Sequence, residues 1–359
     1  MSKQIPHPGE ILNRIITERG FSQRELASRL DIANSLLSNI LNGNRAINIK
    51  LAILLESIGF EDANFWLTKQ MEHELYIAQN DKEFIKKQEI IKTWNQIEDL
   101  IPVSYFKKCN ILNLEFEENI NLIYKMYGAS DLITLKNNID NYSFTNFRKS
   151  TKFKENRNNI IAWSHLAEFQ ASLEDVNSFD ISNKADLIEE LQKCFLKNTE
   201  TITKTKAILK KYGIKFLTLD RPSQTPVDGK SFMSGDNPSI ALSLKYNRLD
   251  NFAFTIMHEL GHVFKHLTNE KYKNMNFFTN APNVEKEEFE ADDFAKSNLI
   301  NLNEWNEFIS TYDEFDDDSI LKFSKKIKVH PGIIRGRVCF ENPEYYRKRT
   351  SITSLNILK

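Results

Sequence analysis

A chain of 359 residues exceeds what one hydrophobic core of ordinary size fills, so its length predicts two or three domains. Its 48 basic and 49 acidic side chains leave a formal net charge of -1, so a DNA-binding surface must come from a local arrangement of residues. Three cysteines, Cys109, Cys194 and Cys339, lie far apart without a CxxC pair, which argues against a disulfide framework and a cysteine zinc knuckle.

The N-terminus lacks the apolar core of a signal peptide, and no run approaches the ~18 to 20 apolar residues that span a bilayer. We therefore expect a cytoplasmic protein with no membrane partner. The cysteines are then expected to be buried thiols in a reducing compartment.

The first predicted elements are short helices between residues 7 and 67. Ser22 and Glu25 form a capping box, in which each side chain can satisfy the other's backbone amide, and a helix begins there. A break at residues 31–33 separates it from a further short helix. Two short helices joined by a few residues predict a helix-turn-helix domain over residues 1–72.

Residues 73–211 form the second predicted region, which is rich in Lys, Asn, Glu, Ile and aromatic residues and poor in Gly and Pro. Stretches such as 160–173 mix apolar and polar residues at helical spacing. This pattern favours a helical connecting domain over a disordered linker.

From residue 212 the pattern changes to short apolar runs separated by turns. The predicted strands are 214–219 and 239–244, and the predicted helices that follow are 249–267 and 285–300. We expect an α+β domain over residues 212–345, followed by a tail, 346–359. The predicted fold class is therefore mainly α with an α+β C-terminal part.

The strongest chemical signal is the HExxH sequence His258-Glu259-Leu-Gly-His262. Residues four apart share one face of a helix, so both imidazoles can bind one metal ion while Glu259 approaches a water molecule beside it. The alternative is two surface histidines on an amphipathic helix. The apolar residues 252–257 just before the motif favour a buried helix instead.

A catalytic zinc site usually has three protein ligands, so one ligand is still missing. Candidates lie in the acid-rich predicted helix 285–295, whereas a third histidine at metzincin spacing is absent. The nearby His266 is expected to be an ordinary surface residue.

Two stretches, His258 to His262 and Glu288-Phe-Glu290-Ala-Asp292-Asp-Phe-Ala295, resemble the ImmA/IrrE family of bacterial metallopeptidases, in which the second motif supplies the third ligand. That resemblance implies a zincin-like domain that binds Zn²⁺ through His258, His262 and Glu290. Residues 330–337 resemble the family's closing motif. Phe147-Arg-Lys-Ser150 with Ala162-Trp163 resembles the middle of its longer members.

The resemblance also implies a mechanism. Zinc polarises a bound water, and Glu259 takes its proton as the water attacks a peptide carbonyl and then passes the proton to the leaving amine. Asp292 could accept a hydrogen bond from a ligand's ring N–H, although helix N-terminal acidity or a solvated face also explains it. His330 could stabilise the oxyanion, or His-Pro could merely form a turn.

The stretch from His7-Pro-Gly-Glu-Ile-Leu through Leu41-Asn-Gly-Asn-Arg45 resembles HigA-type antitoxins with Xre-type DNA-binding domains. The expected base readers are Asn34, Ser35, Ser38 and Asn39. Gln23 and Arg45 are expected to reach phosphates, and Lys50 extends that basic edge. Because the reading helix lacks Arg and Lys, we expect modest affinity and a homodimer on two half-sites of double-stranded DNA in its own promoter. The alternative is a helical bundle used only for protein contacts.

Three functions follow from these features. The first is a DNA-binding transcriptional regulator with a zinc endopeptidase that cleaves a repressor, a toxin or itself. The second is an antitoxin-like repressor that binds a cognate toxin and its own promoter without proteolysis. The third, a metal or redox sensor, has the least support because no cysteine is placed as a ligand.

Overall fold

The computed structural model describes residues 5–142, 157–222, 225, 227–244, 246–272, 275–278 and 286–359. The chain divides into two compact units, residues 1–94 and 95–359. Helices dominate both units, and the second unit also contains a four-stranded sheet. The predicted fold class, mainly α with an α+β C-terminal part, is confirmed.

The first unit consists of short helices around one apolar core. Its helices are α1 (Pro8–Glu18), α2 (Gln23–Arg29), α3 (Asn34–Leu41), α4 (Ile49–Ser57), α5 (Ala63–Asn80) and the first part of α6 (Lys82–Leu100). The predicted capping box starts α2, since the Ser22 N–H donates to Glu25 at 2.8 Å and the Glu25 N–H donates to the Ser22 hydroxyl at 3.2 Å. Leu26 and Leu37, one from each helix of the pair, are fully buried against Leu12 and Trp66.

The second unit begins within α6 and continues through a helical region. Its next helices are α7 (Val103–Lys108), α8 (Phe116–Tyr127), α9 (Leu132–Asp140), α10 (Arg157–Leu173), α11 (Lys184–Lys197) and α12 (Thr201–Lys211). The predicted helical stretch 160–173 lies within α10. The predicted boundary at residues 72 and 73 falls inside α5, whereas the one at 211 and 212 coincides with the end of α12. The four-part division itself stays a prediction.

The sheet contains β1 (Lys215–Thr218), β2 (Gly229–Ser234), β3 (Asn237–Leu242) and β4 (Phe277–Phe278), in the order β1-β3-β2-β4. β1 pairs parallel to β3, and β2 pairs antiparallel to both β3 and β4. Ser231 stands opposite Ile240 and Lys230 stands opposite Ala241. Since successive residues of a strand point to opposite faces, β2 presents Ser231 to one face of the sheet and Lys230 to the other.

Helix α13 (Leu249–His262) packs on the Ser231 face, where the Ser231 hydroxyl donates to Glu259, and a π-helical turn, Val263–Leu267, continues it. The remaining helices are α14 (Lys286–Leu299), α15 (Leu302–Thr311), α16 (Asp317–Ile327), α17 (Pro331–Glu341) and α18 (Ile352–Leu355), and α14 and α17 pack against α13. No helix in the described part of the chain is long and apolar enough to cross a bilayer.

The C-terminal residues 346–359 pack onto the rest of this unit. Ile352 is fully buried, and the backbone N–H of Leu249 donates to Asn356 O at 2.8 Å. Asn356 also accepts from the Asp250 N–H through its side chain, at 3.0 Å. The last residues thereby satisfy backbone groups at the start of α13, where a helix leaves its first N–H groups unpaired.

On its other face the sheet carries an ion pair between the fully buried Lys230 and the partly exposed Glu168 of α10. The Lys230 side chain is fully buried, lies against the rings of Phe232 and Phe278, and donates to Ser164 and Glu168. Burial lowers the pKa of Lys230, and Glu168 opposes this effect. Burial alone would raise the pKa of Glu168, but the Lys230 ammonium and His165 outweigh it and hold the pKa well below its usual 4.5.

This pair gives the first testable prediction. Replacing Glu168 with Gln leaves a fully buried ammonium without its counter-charge, so we expect a loss of about 3 kcal/mol in the free energy of unfolding at pH 7. Lys230→Met removes the buried charge and leaves a partly exposed carboxylate that water can reach, so it should lower the free energy of unfolding by less. A double variant with both substitutions should recover much of the stability that Glu168→Gln loses. Urea unfolding followed by tryptophan fluorescence measures all three, and equal losses in the two single variants would contradict the account.

The same pair has a defined pH dependence. Because the pKa of Glu168 is lower in the folded than in the unfolded chain, its contribution is fully present above pH 4.5 and is lost as the pH falls below that value. The stability gap between the wild type and Glu168→Gln should therefore narrow between pH 5 and pH 3. A gap that stays constant over this interval would contradict the assignment.

Candidate metal centre and nucleic-acid interface

His258 and His262 lie one turn apart on α13 and face the same side. Their side chains are almost fully buried, and the two Nε2 atoms are 3.2 Å apart. The spacing of four residues produces this arrangement, because it brings side chains to one face of a helix. Two unprotonated imidazole nitrogens that converge in this way offer two ligands to one cation.

Helix α14 supplies the third group. Glu288 lies between the histidines, with one carboxylate oxygen 3.3 Å from His258 Nε2 and the other 3.3 Å from His262 Nε2. The approach of α14 depends on Gly261, since a Cβ there would lie 2.8 Å from the Cα of Ala291. His258, His262 and Glu288 thus place one ligand atom each within 4.8 Å of one another.

Glu290, the predicted third ligand, does not face the two histidines. It accepts a hydrogen bond from His266 Nε2 at 3.1 Å. Residues 288 and 292 are four apart and face α13, whereas residue 290 is about 200° around the helix from residue 288. The expectation that His266 is an ordinary surface residue was wrong, because this side chain is only 2 % exposed.

Each histidine of the pair has an outer partner. His258 Nδ1 lies 2.8 Å from Asp292, and His262 Nδ1 lies 3.0 Å from His266 Nδ1. His262 and His266 both stack on the ring of Phe277 in β4. When His258 carries its proton on Nδ1 and donates it to Asp292, the lone pair of Nε2 is directed at Glu288. A metal ligand requires this tautomer.

The charges of the cluster favour a cation. Burial would lower the pKa of His258, but hydrogen bonds to Asp292 and Glu288 raise it to about 10. Burial lowers the pKa of His262 to about 4, so this imidazole is neutral at pH 7. Burial would raise the pKa of Glu288, yet hydrogen bonds to both histidines lower it to about 2. The site therefore holds a proton that a metal ion would replace.

Glu259 is fully buried and contacts the sheet. The Ser231 hydroxyl donates to the Glu259 carboxylate at 2.5 Å and to its backbone oxygen at 3.1 Å. Gly229 allows this contact, since a Cβ at that position would lie 2.2 Å from the Glu259 carboxylate. Ser231 on β2, which the sequence analysis did not single out, thus fixes the position of the acidic residue of the HExxH motif.

His330 occupies a structural position. Its Nδ1 accepts a hydrogen bond from the Gly332 N–H at 3.1 Å, at the start of α17. The same three residues, His-Pro-Gly, begin α1, where His7 Nδ1 accepts from the Gly9 N–H at 2.9 Å. The repeated motif is a helix cap in both places, which favours the turn over the predicted oxyanion role.

The donor set fits zinc. Two imidazoles and one carboxylate are an ordinary set of protein ligands for a catalytic zinc ion, and a further carboxylate, Glu259, follows one ligand directly in the chain.

Two other stretches resembled the middle of the longer members of the ImmA/IrrE family. Ala162 and Trp163 are buried in α10, and residues 147–150 lie outside the described residues.

The predicted nucleic-acid surface lies on α2 and α3. Asn34, Ser35, Asn39 and Arg45 are exposed, as is Lys50, and Ser38 is half-buried. Gln23 Nε2 donates to the backbone and side-chain oxygens of Asn34, at 3.2 Å each, so it links the starts of the two helices. Helix α3 begins without a side-chain cap at Ala33.

Comparison with known proteins yields two family matches. The sequence profile of the IrrE N-terminal-like domain matches residues 209–338, and a helix-turn-helix profile matches residues 12–58. The two matches cover separate parts of the chain. The first includes all three members of the histidine–glutamate cluster, and the second includes α2 and α3.

Individual relatives match the front of the chain. Virulence-associated protein A' of Dichelobacter nodosus is 35% identical over 74 residues, which are 20% of this chain and 64% of that protein, so the match spans less than two thirds of its length. The uncharacterized HTH-type transcriptional regulator YddM of Escherichia coli (strain K12) is 34% identical over 65 residues, 18% of this chain and 69% of that protein. A solved addiction module antidote protein of the HigA family from Coxiella burnetii is 31% identical, with a TM-score of 0.22, and covers 24% of this chain and 95% of its own.

Proposed function

Since this chain belongs to the helix-turn-helix regulators and joins that DNA-binding domain to an IrrE N-terminal-like peptidase domain, we propose that it is a zinc-dependent endopeptidase that cleaves a regulatory protein. The observation that carries the proposal is the position of Glu288, 3.3 Å from both imidazole Nε2 atoms. The buried Glu259 directly follows one of these histidines in the chain. His258, His262 and Glu288 would hold the zinc ion. Zinc, when bound, supplies the Lewis acidity that makes a water molecule acidic enough to lose a proton near neutral pH.

Three other side chains take part in the proposed cleavage of the peptide bond. Glu259 accepts the proton of the attacking water and returns it to the leaving amine as the peptide C–N bond breaks, so acid and amine are formed without a net change in protons on the enzyme. Ser231 holds the Glu259 carboxylate in position. Asp292 orients His258 and stabilises its ligand tautomer.

The helix-turn-helix unit directs this activity to DNA. Asn34, Ser35, Ser38 and Asn39 on α3 read base edges of double-stranded DNA, while Arg45 and Lys50 approach phosphates. Gln23 positions Asn34 in addition to any phosphate contact. Because α3 has no Arg or Lys, one copy makes few contacts, and we propose that a homodimer binds two half-sites in its own promoter.

The proposed endopeptidase can be tested without knowing its substrate. Zinc-loaded full-length protein is added to an extract of its source cells, and new protein N-termini are mapped by mass spectrometry. The control is the same protein stripped of metal with a chelator and then reloaded. We expect new termini with the loaded and reloaded protein and none with the stripped protein. Identical termini in all three samples would contradict the proposal.

A second candidate function is an antitoxin-like repressor that binds its toxin and its promoter without proteolysis. The observation that favours it is the complete burial of Glu259, whose carboxylate contacts Ser231. Under this function the stripped protein should neutralise a toxin encoded beside its gene as well as the zinc-loaded protein does.

The DNA-binding part gives its own prediction. Replacing Asn34 and Asn39 together with Ala should weaken binding to the promoter by at least about 30-fold, because each good bidentate base contact is worth about 1 to 3 kcal/mol. Both side chains are exposed and only the hydrogen bond from Gln23 to the Asn34 side chain is lost, so the change in stability should be small. Fluorescence anisotropy at fixed salt measures the affinity, and Asn64→Ala on α5 is the matched control. If the double variant and Asn64→Ala bind the promoter with equal affinity, α3 is not part of the DNA interface.

A further inference from the structure

A cavity of about 420 Å³ lies beside the metal cluster, between helices α13, α14 and α17. This volume is in the range of about 300 to 1,000 Å³ that small-molecule sites occupy. Phe254, on the α13 wall, lies one turn before His258, and the centroids of their two rings are 6.1 Å apart. The cavity therefore shares its helices with the candidate metal ligands but is lined by other residues.

The walls of the cavity are largely apolar and aromatic. Leu299 and Ile333 form buried parts of the lining. Phe340 and Tyr346 also line it, yet their side chains remain 61 % and 58 % exposed. Large aromatic side chains that stay exposed around a concave surface are typical of a ligand site rather than of ordinary protein surface.

The polar groups of the lining carry an excess of positive charge. The charged groups are one carboxylate and three cations, namely Asp250, Arg248, Lys296 and Arg337. Asp250 is paired with Arg248, and Arg337 donates to Glu341 at 2.9 Å. Lys296 is half-buried, its Nζ lies 5.4 Å from the Phe340 ring centroid, and no carboxylate in the described ranges lies within ion-pair distance of it. An ammonium without a counter-charge at an apolar wall favours an anionic ligand.

We propose that this cavity is a second binding site, separate from His258, His262 and Glu288, for a small anionic molecule with an aromatic or similarly apolar body. Its carboxylate, sulfonate or phosphate group pairs with Lys296, while its apolar body packs between Phe254, Leu299 and Phe340. The site does not depend on peptidase activity. It takes a free small molecule rather than a segment of a protein substrate.

The test uses 8-anilinonaphthalene-1-sulfonate, a fluorescent anionic aromatic probe, and the full-length protein. We expect one saturable site, at least ten-fold weaker binding in Lys296→Glu, and near wild-type binding in Lys296→Arg. Phe340→Ala, which removes an exposed side chain, should also weaken binding. The matched control is Lys322→Glu, at a different cavity lined by Phe308 and Phe323. Thermal unfolding of each variant shows whether it is folded.

Competition identifies the chemistry of the occupant. Naphthalene-2-sulfonate should displace the probe, whereas neutral 2-naphthylmethanol should be at least ten-fold less effective. Equal displacement by the two compounds would overturn the proposal, as would a loss of binding in folded Lys322→Glu but not in folded Lys296→Glu. Displacement by a capped Phe-Glu dipeptide and not by naphthalene-2-sulfonate would assign the cavity to a polypeptide and also overturn it.

Discussion

Glu259→Gln should lower the rate of peptide-bond cleavage by about 10²- to 10⁴-fold while zinc content, stability and DNA binding stay at wild-type values. Glutamine keeps the size of the side chain and can still accept from Ser231, but it cannot take a proton from water. The measurement is the rate at which the mapped protein N-termini appear, with zinc content determined on the same samples.

The matched control for this variant is Glu287→Gln. It makes the same chemical change on α14, where the Glu287 carboxylate accepts from the Tyr272 hydroxyl at 2.7 Å, and it should leave the rate of cleavage unchanged. A Glu259→Gln protein that forms the same termini at the wild-type rate would mean that Glu259 is not the general base. If the same termini also formed with the metal-stripped protein, the antitoxin-like function would be the better explanation of the chain.

Glu288→Ala should reduce zinc affinity by at least about 100-fold, whereas Glu290→Ala should reduce it by no more than about 10-fold. Glu288 offers its oxygens to the position that both imidazoles face, and Glu290 acts only through His266. Competition against a chelator of known affinity measures both values in the full-length protein. His258→Ala is the positive control, since it removes a ligand of undisputed position. The opposite order of the two glutamate variants would restore Glu290 as the ligand.

The sequence predicted those parts of the site that depend on local geometry. The four-residue spacing of His258 and His262 determines that they share a helical face, whatever the rest of the fold does. The helix-turn-helix was predictable for the same reason, because the capping box of Ser22 and Glu25 is formed by residues three apart. For Asp292, the sequence left a hydrogen bond to a ligand histidine and a solvated position as alternatives, and in the structure its carboxylate lies beside His258.

The choice between Glu288 and Glu290 could not be made in this way. Which face of α14 turns toward α13 depends on the close contact of Gly261 with Ala291, two residues that are distant in the sequence. The burial of His266 also depends on tertiary packing, because its ring stacks on Phe277 in β4, a strand only two residues long. Strand β2, which carries Ser231, was missed because Gly229-Lys-Ser-Phe-Met-Ser234 lacks β-branched residues.

The most direct test of the proposed metal centre is a crystal structure of the zinc-loaded full-length protein, with anomalous scattering recorded on both sides of the zinc absorption edge. We predict one zinc peak per chain, bound by His258, His262 and Glu288. A zinc peak between His266 and Glu290 would contradict the account. So would a protein that binds no zinc when the zinc concentration is well above the protein concentration.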